Sequence, residues 1–104
     1  MSDATPDQRE QVERAIHAAS APFAGTVQWT ANEAEELRQR VYTELYMLAI
    51  KRVIPPEIRL DVEATLTMEG DVKLGFTADL LLWLYAGDSA RMAEFVRLAA
   101  AARD

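Results

Sequence analysis

The feature that most constrains this fold is a change of hydrophobic period at Ile58. Apolar and polar residues alternate from Ile58 to Met68, and after Glu69-Gly70-Asp71 the alternation resumes and continues to Phe76. Two alternating runs around a glycine-containing turn are typical of a β-hairpin. If the apolar residues share one face, a three-residue loop sets the register, with Met68 opposite Val72, Leu66 opposite Leu74 and Ala64 opposite Phe76.

Capping boxes predict where the first two helices begin. Thr5-Pro6-Asp7-Gln8 begins one helix, and Thr30-Ala31-Asn32-Glu33 begins another that should run to about Val53 before two prolines. The segment between these helices, residues 26–29, is either a short strand or a loop anchored by Trp29. These patterns place two helices before the hairpin.

Two more helices are predicted after the hairpin. Thr77 or Asp79 begins the third helix, which Gly87 ends, and Asp88-Ser89 caps a last helix that runs to about Arg103. We therefore expect an α+β fold, with an antiparallel β-hairpin or small sheet covered by helices in the order α-(β)-α-β-β-α-α. We expect a single domain over residues 1–104, with residues 1–5 as a disordered tail.

Composition narrows the classes of function. With no cysteine, the chain has no disulfide, no thiolate metal site and no cysteine nucleophile. With 17 acidic and 11 basic side chains, the net charge is -6, so direct binding to nucleic-acid phosphates is not expected. No signal peptide is visible, and the apolar runs are shorter than the roughly 20 residues that span a bilayer. We expect a small acidic cytoplasmic protein with no membrane contact.

The central helix has more apolar surface than one side of a helix needs. Leu37, Val41 and Leu45 form one stripe, and an adjacent stripe contains Tyr42, Tyr46, Ile50 and Val53. Together they widen the apolar arc to roughly 220°, against about 100° for a surface helix. We therefore expect these four residues of the second stripe to form an interface with a partner or with a second copy of the chain.

The titratable residues offer no strong catalytic motif. His17, with Glu13 one turn before it, is the only histidine, and an exposed helical histidine is the simpler interpretation. On the hairpin, Asp61, Glu63 and Asp71 predict an acidic docking face rather than a metal site, because basic residues and threonines interleave with them. We expect no catalytic residue, no metal and no cofactor.

These observations favour a non-enzymatic protein-interaction module. We expect an accessory subunit, adaptor or inhibitor that acts through the helix face and the acidic hairpin face, as a homodimer. One alternative is a small-molecule-binding protein or small enzyme, with a pocket between hairpin and helices formed by Trp83, Phe76 and His17. Another is electrostatic mimicry of nucleic acid toward a basic protein.

Overall fold

Three helices and a two-stranded antiparallel sheet form the described chain, as expected for the α+β class. The computed structural model describes residues 3–26, 28–86, 88 and 90–91. The elements in chain order are α1 (Pro6–Ser20), a short 3-10 helix (Ala21–Phe23), α2 (Ala31–Ile50), β1 (Val62–Leu66), β2 (Val72–Phe76) and α3 (Ala78–Tyr85).

Both predicted capping boxes are confirmed. The Thr5 hydroxyl accepts the Gln8 N–H at 3.1 Å, and Gln8 Oε1 accepts the Thr5 N–H at 2.8 Å. Thr30 and Glu33 make the same reciprocal bonds at the start of α2. Each box satisfies two backbone donors that a helix start would otherwise leave unpaired, so these boundaries follow from local chemistry.

Two further expectations concern the first and last described residues: the disordered tail and the cap of the last helix. Ala4, inside the expected disordered tail, is buried, and its N–H donates to the Trp83 carbonyl at 2.8 Å. At the other end, Asp88 Oδ1 accepts the Arg91 N–H at 3.1 Å, which is the expected cap of the last helix. The expected course of that helix to about Arg103 lies outside the described residues.

Thr26, Gln28 and Trp29 lie outside any strand before α2, so the strand alternative is wrong for these three residues, while Val27 lies outside the described residues. Trp29 is buried and its ring stacks on Phe23 with centroids 5.2 Å apart, while its backbone N–H donates to the Gly70 carbonyl at 3.1 Å. The indole Nε1 is buried without a hydrogen-bond partner among the described residues. Aromatic packing therefore joins Trp29 to the 3-10 helix, and one backbone bond joins it to the hairpin turn.

Helix α2 ends at Ile50, three residues before the expected end at Val53. Lys51 leaves helical geometry, with φ -77° and ψ 0°, and Arg52 is left-handed at φ 65°. The Arg52 N–H donates to the Ala49 carbonyl and the Val53 N–H to the Leu48 carbonyl, at 3.1 and 2.9 Å. This pair of bonds is a Schellman motif, which normally carries glycine in the left-handed position. Because arginine occupies it, the sequence has no visible stop signal there.

The hairpin has the predicted faces but a register displaced by two residues. Leu66 pairs with Val72 and Ala64 with Leu74, whereas we expected Leu66 opposite Leu74. An even displacement keeps every side chain on its expected face, so Val62, Val72 and Leu74 are buried. On the same side, Leu66 is 38% exposed and Met68 is fully exposed in the turn, so the apolar side of β1 next to the turn is not fully covered.

Turn geometry explains the displacement. Gly70 has φ 86°, its N–H donates to the Thr67 carbonyl at 3.1 Å, and the Thr67 N–H donates to the Asp71 carbonyl at 2.8 Å. The loop therefore consists of Met68, Glu69 and Gly70, and glycine takes its last position, where a three-residue hairpin loop needs a left-handed residue. In the expected loop, Glu69-Gly70-Asp71, glycine was in the middle position, which does not require a left-handed residue.

The core is built around α2, which contacts both α1 and β1. The buried side chains of α2 are Ala34, Leu37, Val41 and Leu45, which recur every three or four residues along one line of the helix. Val12 and Ile16 of α1 and Val62 of β1 belong to the same buried cluster. One stripe of α2 therefore serves both neighbours, and its other sides are left to solvent or to a partner.

Replacing Gly70 with alanine should destabilise the protein by about 1–2 kcal/mol, because a Cβ is unfavourable in the left-handed region. The added Cβ would also lie 3.1 Å from Gln28 Cγ. Gly75→Ala is the matched control, since its Cβ would lie 3.8 Å from Glu63 Cβ, an ordinary contact. Urea unfolding checks this, and equal midpoints for the two variants would contradict the turn assignment.

Candidate protein-interaction face

Three large apolar side chains lie exposed on the second half of α2. The exposed fractions are 50% for Tyr46, 45% for Met47 and 57% for Ile50. Residues three and four positions apart are neighbours on a helix surface, so Ile50 lies beside both Tyr46 and Met47. We call these three residues the α2 patch. It is a contiguous apolar surface on one rigid element.

Two of the four predicted interface residues lie outside the patch. Tyr42 is half-buried and packs against the core, and its ring stacks on Tyr46 with centroids 6.2 Å apart and planes inclined by 15°. Val53 lies beyond the helix end and is half-buried, and its carbonyl accepts Gln8 Nε2 at 3.1 Å. The helix stop at Ile50 therefore removes Val53 from the stripe on which the longer predicted helix had placed it.

Met47 is a member of the patch that was not among the four predicted interface residues. On a helical wheel it lies about 60° from Ile50, outside the stripe of Tyr42, Tyr46 and Ile50. The spacing from Met47 to Ile50, three residues, is the signal that could have included it. Exposed methionine suits an interface because its flexible, polarizable side chain adapts to the surface of a partner.

The acidic residues of the hairpin share a face but do not form one cluster. Asp61 and Glu63 are exposed near the start of β1, and Glu63 pairs across the strands with Gly75. Asp71 follows the turn, opposite Thr67, about 13 Å from Glu63 at roughly 3.3 Å per residue. Asp61 and Glu63 therefore form the acidic part of this face at one end of the hairpin, and Asp71 lies at the other end.

Two arginines of α2 have carboxylate partners on the same helix. Arg38 binds Glu35 with its Nε and Nη2, the shortest bond being 2.6 Å, and Arg40 binds Glu36 at 3.2 Å. The hydrogen bond to Arg38 lowers the pKa of Glu35, and the same bond raises the pKa of Arg38. Because each of these cations is compensated locally, they do not form a basic stripe along α2.

His17 and Glu13 do not act as a pair in this structure. His17 is exposed on α1, whereas Glu13 Oε1 accepts the Tyr85 hydroxyl of α3 at 2.9 Å. Arg9 lies over the Tyr85 ring, and its Nε donates to the Leu84 carbonyl at 3.1 Å. These polar contacts join α1 to the end of α3, so the role of Glu13 is structural.

Two of the cavities at the described residues bear on the predicted ligand pocket. The larger, about 440 Å³, is an open groove between α1 and α2 lined by Ala18, Ala19, Glu36, Gln39, Arg40, Thr43 and Glu44. The smaller, about 180 Å³, lies at the start of the hairpin and is lined by Asp61, Glu63, Gly75, Phe76 and Thr77. Neither is lined by Trp83, which is buried, or by His17. The three residues suggested for a ligand pocket are therefore not assembled around either cavity.

The described residues contain no group of three or more His, Asp or Glu side chains placed to hold a metal ion. Among the described helices, none has the length and apolar character of a membrane-spanning segment. Neither a protein-family model, nor a curated protein, nor a solved structure matches this chain. Its function must therefore be argued from the fold and the surface.

Tyr85 should lower the free energy of unfolding at alkaline pH. Burial raises the pKa of its hydroxyl, and the hydrogen bond to Glu13 raises it further. The unfolded chain ionises this tyrosine near pH 10, while the folded chain keeps it neutral, so stability falls above about pH 10 by up to roughly 1.4 kcal/mol per pH unit. Tyr85→Phe should lose about 1 kcal/mol at neutral pH, with the hydrogen bond, and then decline less steeply.

Urea unfolding of both proteins between neutral pH and about pH 11 measures the two slopes. The expected result is convergence of the two stabilities as the pH rises through the alkaline range. Equal slopes for the two proteins would contradict a raised pKa at Tyr85.

Proposed function

We propose that this chain is a non-enzymatic protein-interaction module that forms a homodimer through the α2 patch. The observation that carries the proposal is the side-by-side exposure of Tyr46, Met47 and Ile50 on one helix. Burying the exposed half of each side chain is worth about 1 kcal/mol. Large apolar side chains grouped on a folded surface are a mark of interaction sites, whereas single ones are ordinary.

The aromatic part of the face is prepared for contact before a partner arrives. Tyr42 and Tyr46 are stacked nearly parallel, and Tyr42 is held against the core. Tyrosine has few rotatable bonds, so ordering it in an interface costs little side-chain entropy. A preformed aromatic surface therefore supports binding more than three flexible side chains would.

A second copy of the chain is the occupant that we propose. The patch is bordered by exposed side chains of both signs, Glu44 and Lys51. A two-fold axis places the same surface on both subunits, so each charge of one copy can meet the opposite charge of the other. A surface with both signs at its border suits a copy of itself better than a uniformly charged partner.

The remaining parts of the functional hypothesis stay predictions. We propose that Asp61 and Glu63, which are exposed at one end of the hairpin, contact a basic partner, and that Asp71 contacts a different part of it. Cytoplasmic localisation and the role as accessory subunit, adaptor or inhibitor also remain predictions. In this proposal, homodimerisation through α2 leaves the acidic start of the hairpin free to contact another protein.

Tyr46→Ala combined with Ile50→Ala should weaken dimerisation by roughly a thousandfold, since four partly exposed apolar side chains, each worth about 1 kcal/mol, leave the interface of two copies. Sedimentation or light scattering over a wide range of concentration measures the mass of each protein. The wild type is expected to shift from monomer to dimer as concentration rises, and the variant to remain monomeric over the same range.

Leu82→Ala is the matched control, because Leu82 is 57% exposed but lies on α3. It should leave the dissociation constant unchanged. Each variant should remain folded, although the double variant should lose about 2 kcal/mol of unfolding free energy with the buried halves of Tyr46 and Ile50. A monomeric wild type at every concentration, or an unchanged mass for the double variant, would remove the proposal.

A further inference from the structure

We propose that the two copies pair their α2 helices antiparallel, about a two-fold axis beside Met47, with Glu44 of each copy facing Lys51 of the other. This inference rests on the proposed homodimer and adds its geometry.

Opposite charges lie on the two sides of Met47 along one margin of the patch. Glu44 and Met47 are three residues apart on α2, and Lys51, the residue that caps the helix, still donates its N–H to the Met47 carbonyl at 3.0 Å, so the three residues lie along one line. Glu44 and Lys51 are both exposed. The line therefore carries a negative charge on one side of Met47 and a positive charge at nearly the same distance on the other.

A two-fold axis beside Met47 favours an antiparallel direction for the two α2 helices. In an antiparallel pair with its axis beside Met47, a residue before the axis meets a residue after it, so Glu44 faces the opposite charge of Lys51 twice. In a parallel pair, Glu44 would face Glu44 and Lys51 would face Lys51. Like charges side by side are unfavourable, and antiparallel helices also align their dipoles favourably. The charge pattern is therefore self-complementary only in the antiparallel arrangement.

Glu44 and Lys51 are not neutralised by ion pairs within the described chain. Arg40, one turn before Glu44, binds Glu36 at 3.2 Å and lies near the Phe23 ring. Glu44 also lines the open groove between α1 and α2, which leaves room for an ammonium group from another chain. Both charges are thus available to a partner.

Single charge reversals test the geometry. Glu44→Lys, or Lys51→Glu, turns two attractive pairs into two repulsive ones and should raise the dimer dissociation constant about tenfold. The double variant that exchanges both charges should restore the wild-type constant. Glu69→Lys, at the exposed hairpin turn, changes net charge as Glu44→Lys does and should not weaken the dimer.

The outcomes separate this inference from the proposed function. A parallel dimer changes little with either single reversal, because one pair of like charges replaces another. If Tyr46→Ala with Ile50→Ala dissociates the dimer but the charge variants do not respond, the antiparallel geometry is wrong and the homodimer stands. If the wild type is monomeric, both proposals fall.

Introduced cysteines give a second measurement, since the chain has no thiol of its own. Met47→Cys should form a disulfide between copies on mild oxidation, because the axis brings the two positions together. The two copies of Gln39→Cys would be about 25 Å apart at 1.5 Å per residue, far beyond disulfide reach. Linkage at both positions would indicate a parallel pair, and linkage at neither would also overturn the inference.

Discussion

Burial of one stripe of α2 is the interaction on which the rest of the structure depends. Leu37, Val41 and Leu45 are fully buried, and both α1 and β1 pack against the helix. A hairpin of two strands is at best marginally stable alone, so β1 and β2 need the apolar surface that α2 and its neighbours provide. The same arrangement leaves the other side of α2 exposed, because the described elements cover only one side of a helix that is apolar on two.

Polar contacts determine how the remaining elements are joined to this centre. Arg9 and Glu13 of α1 bind the end of α3, and Gln8 binds the carbonyl of Val53 after α2. Trp29 joins the loop before α2 to the hairpin turn through the Gly70 carbonyl. These contacts link residues far apart in the sequence. They hold α1, α2 and α3 together. They also give Arg9 and Glu13 a structural role, so these charged side chains do not indicate a catalytic site.

Local patterns predicted the elements well, and the failures at the end of α2 and in the hairpin register had different causes. The capping boxes at Thr5 and Thr30 are reliable because their bonds span only three residues. The end of α2 was misplaced because Arg52 occupies a position that glycine usually takes. The hairpin register was wrong by two residues, although glycine at the last loop position of a three-residue loop is a rule that could have placed Gly70 correctly.

The sequence by itself determined which residues are apolar, where the helices begin, and that the sheet has one apolar face. It also indicated that α2 has more apolar surface than a single packed side uses. Only the tertiary structure decided that Tyr42 packs inward while Tyr46, Met47 and Ile50 remain exposed. The physical reason is that periodicity identifies the faces of a helix, whereas exposure depends on which neighbours reach each face. Those neighbours are brought together by contacts between distant parts of the chain.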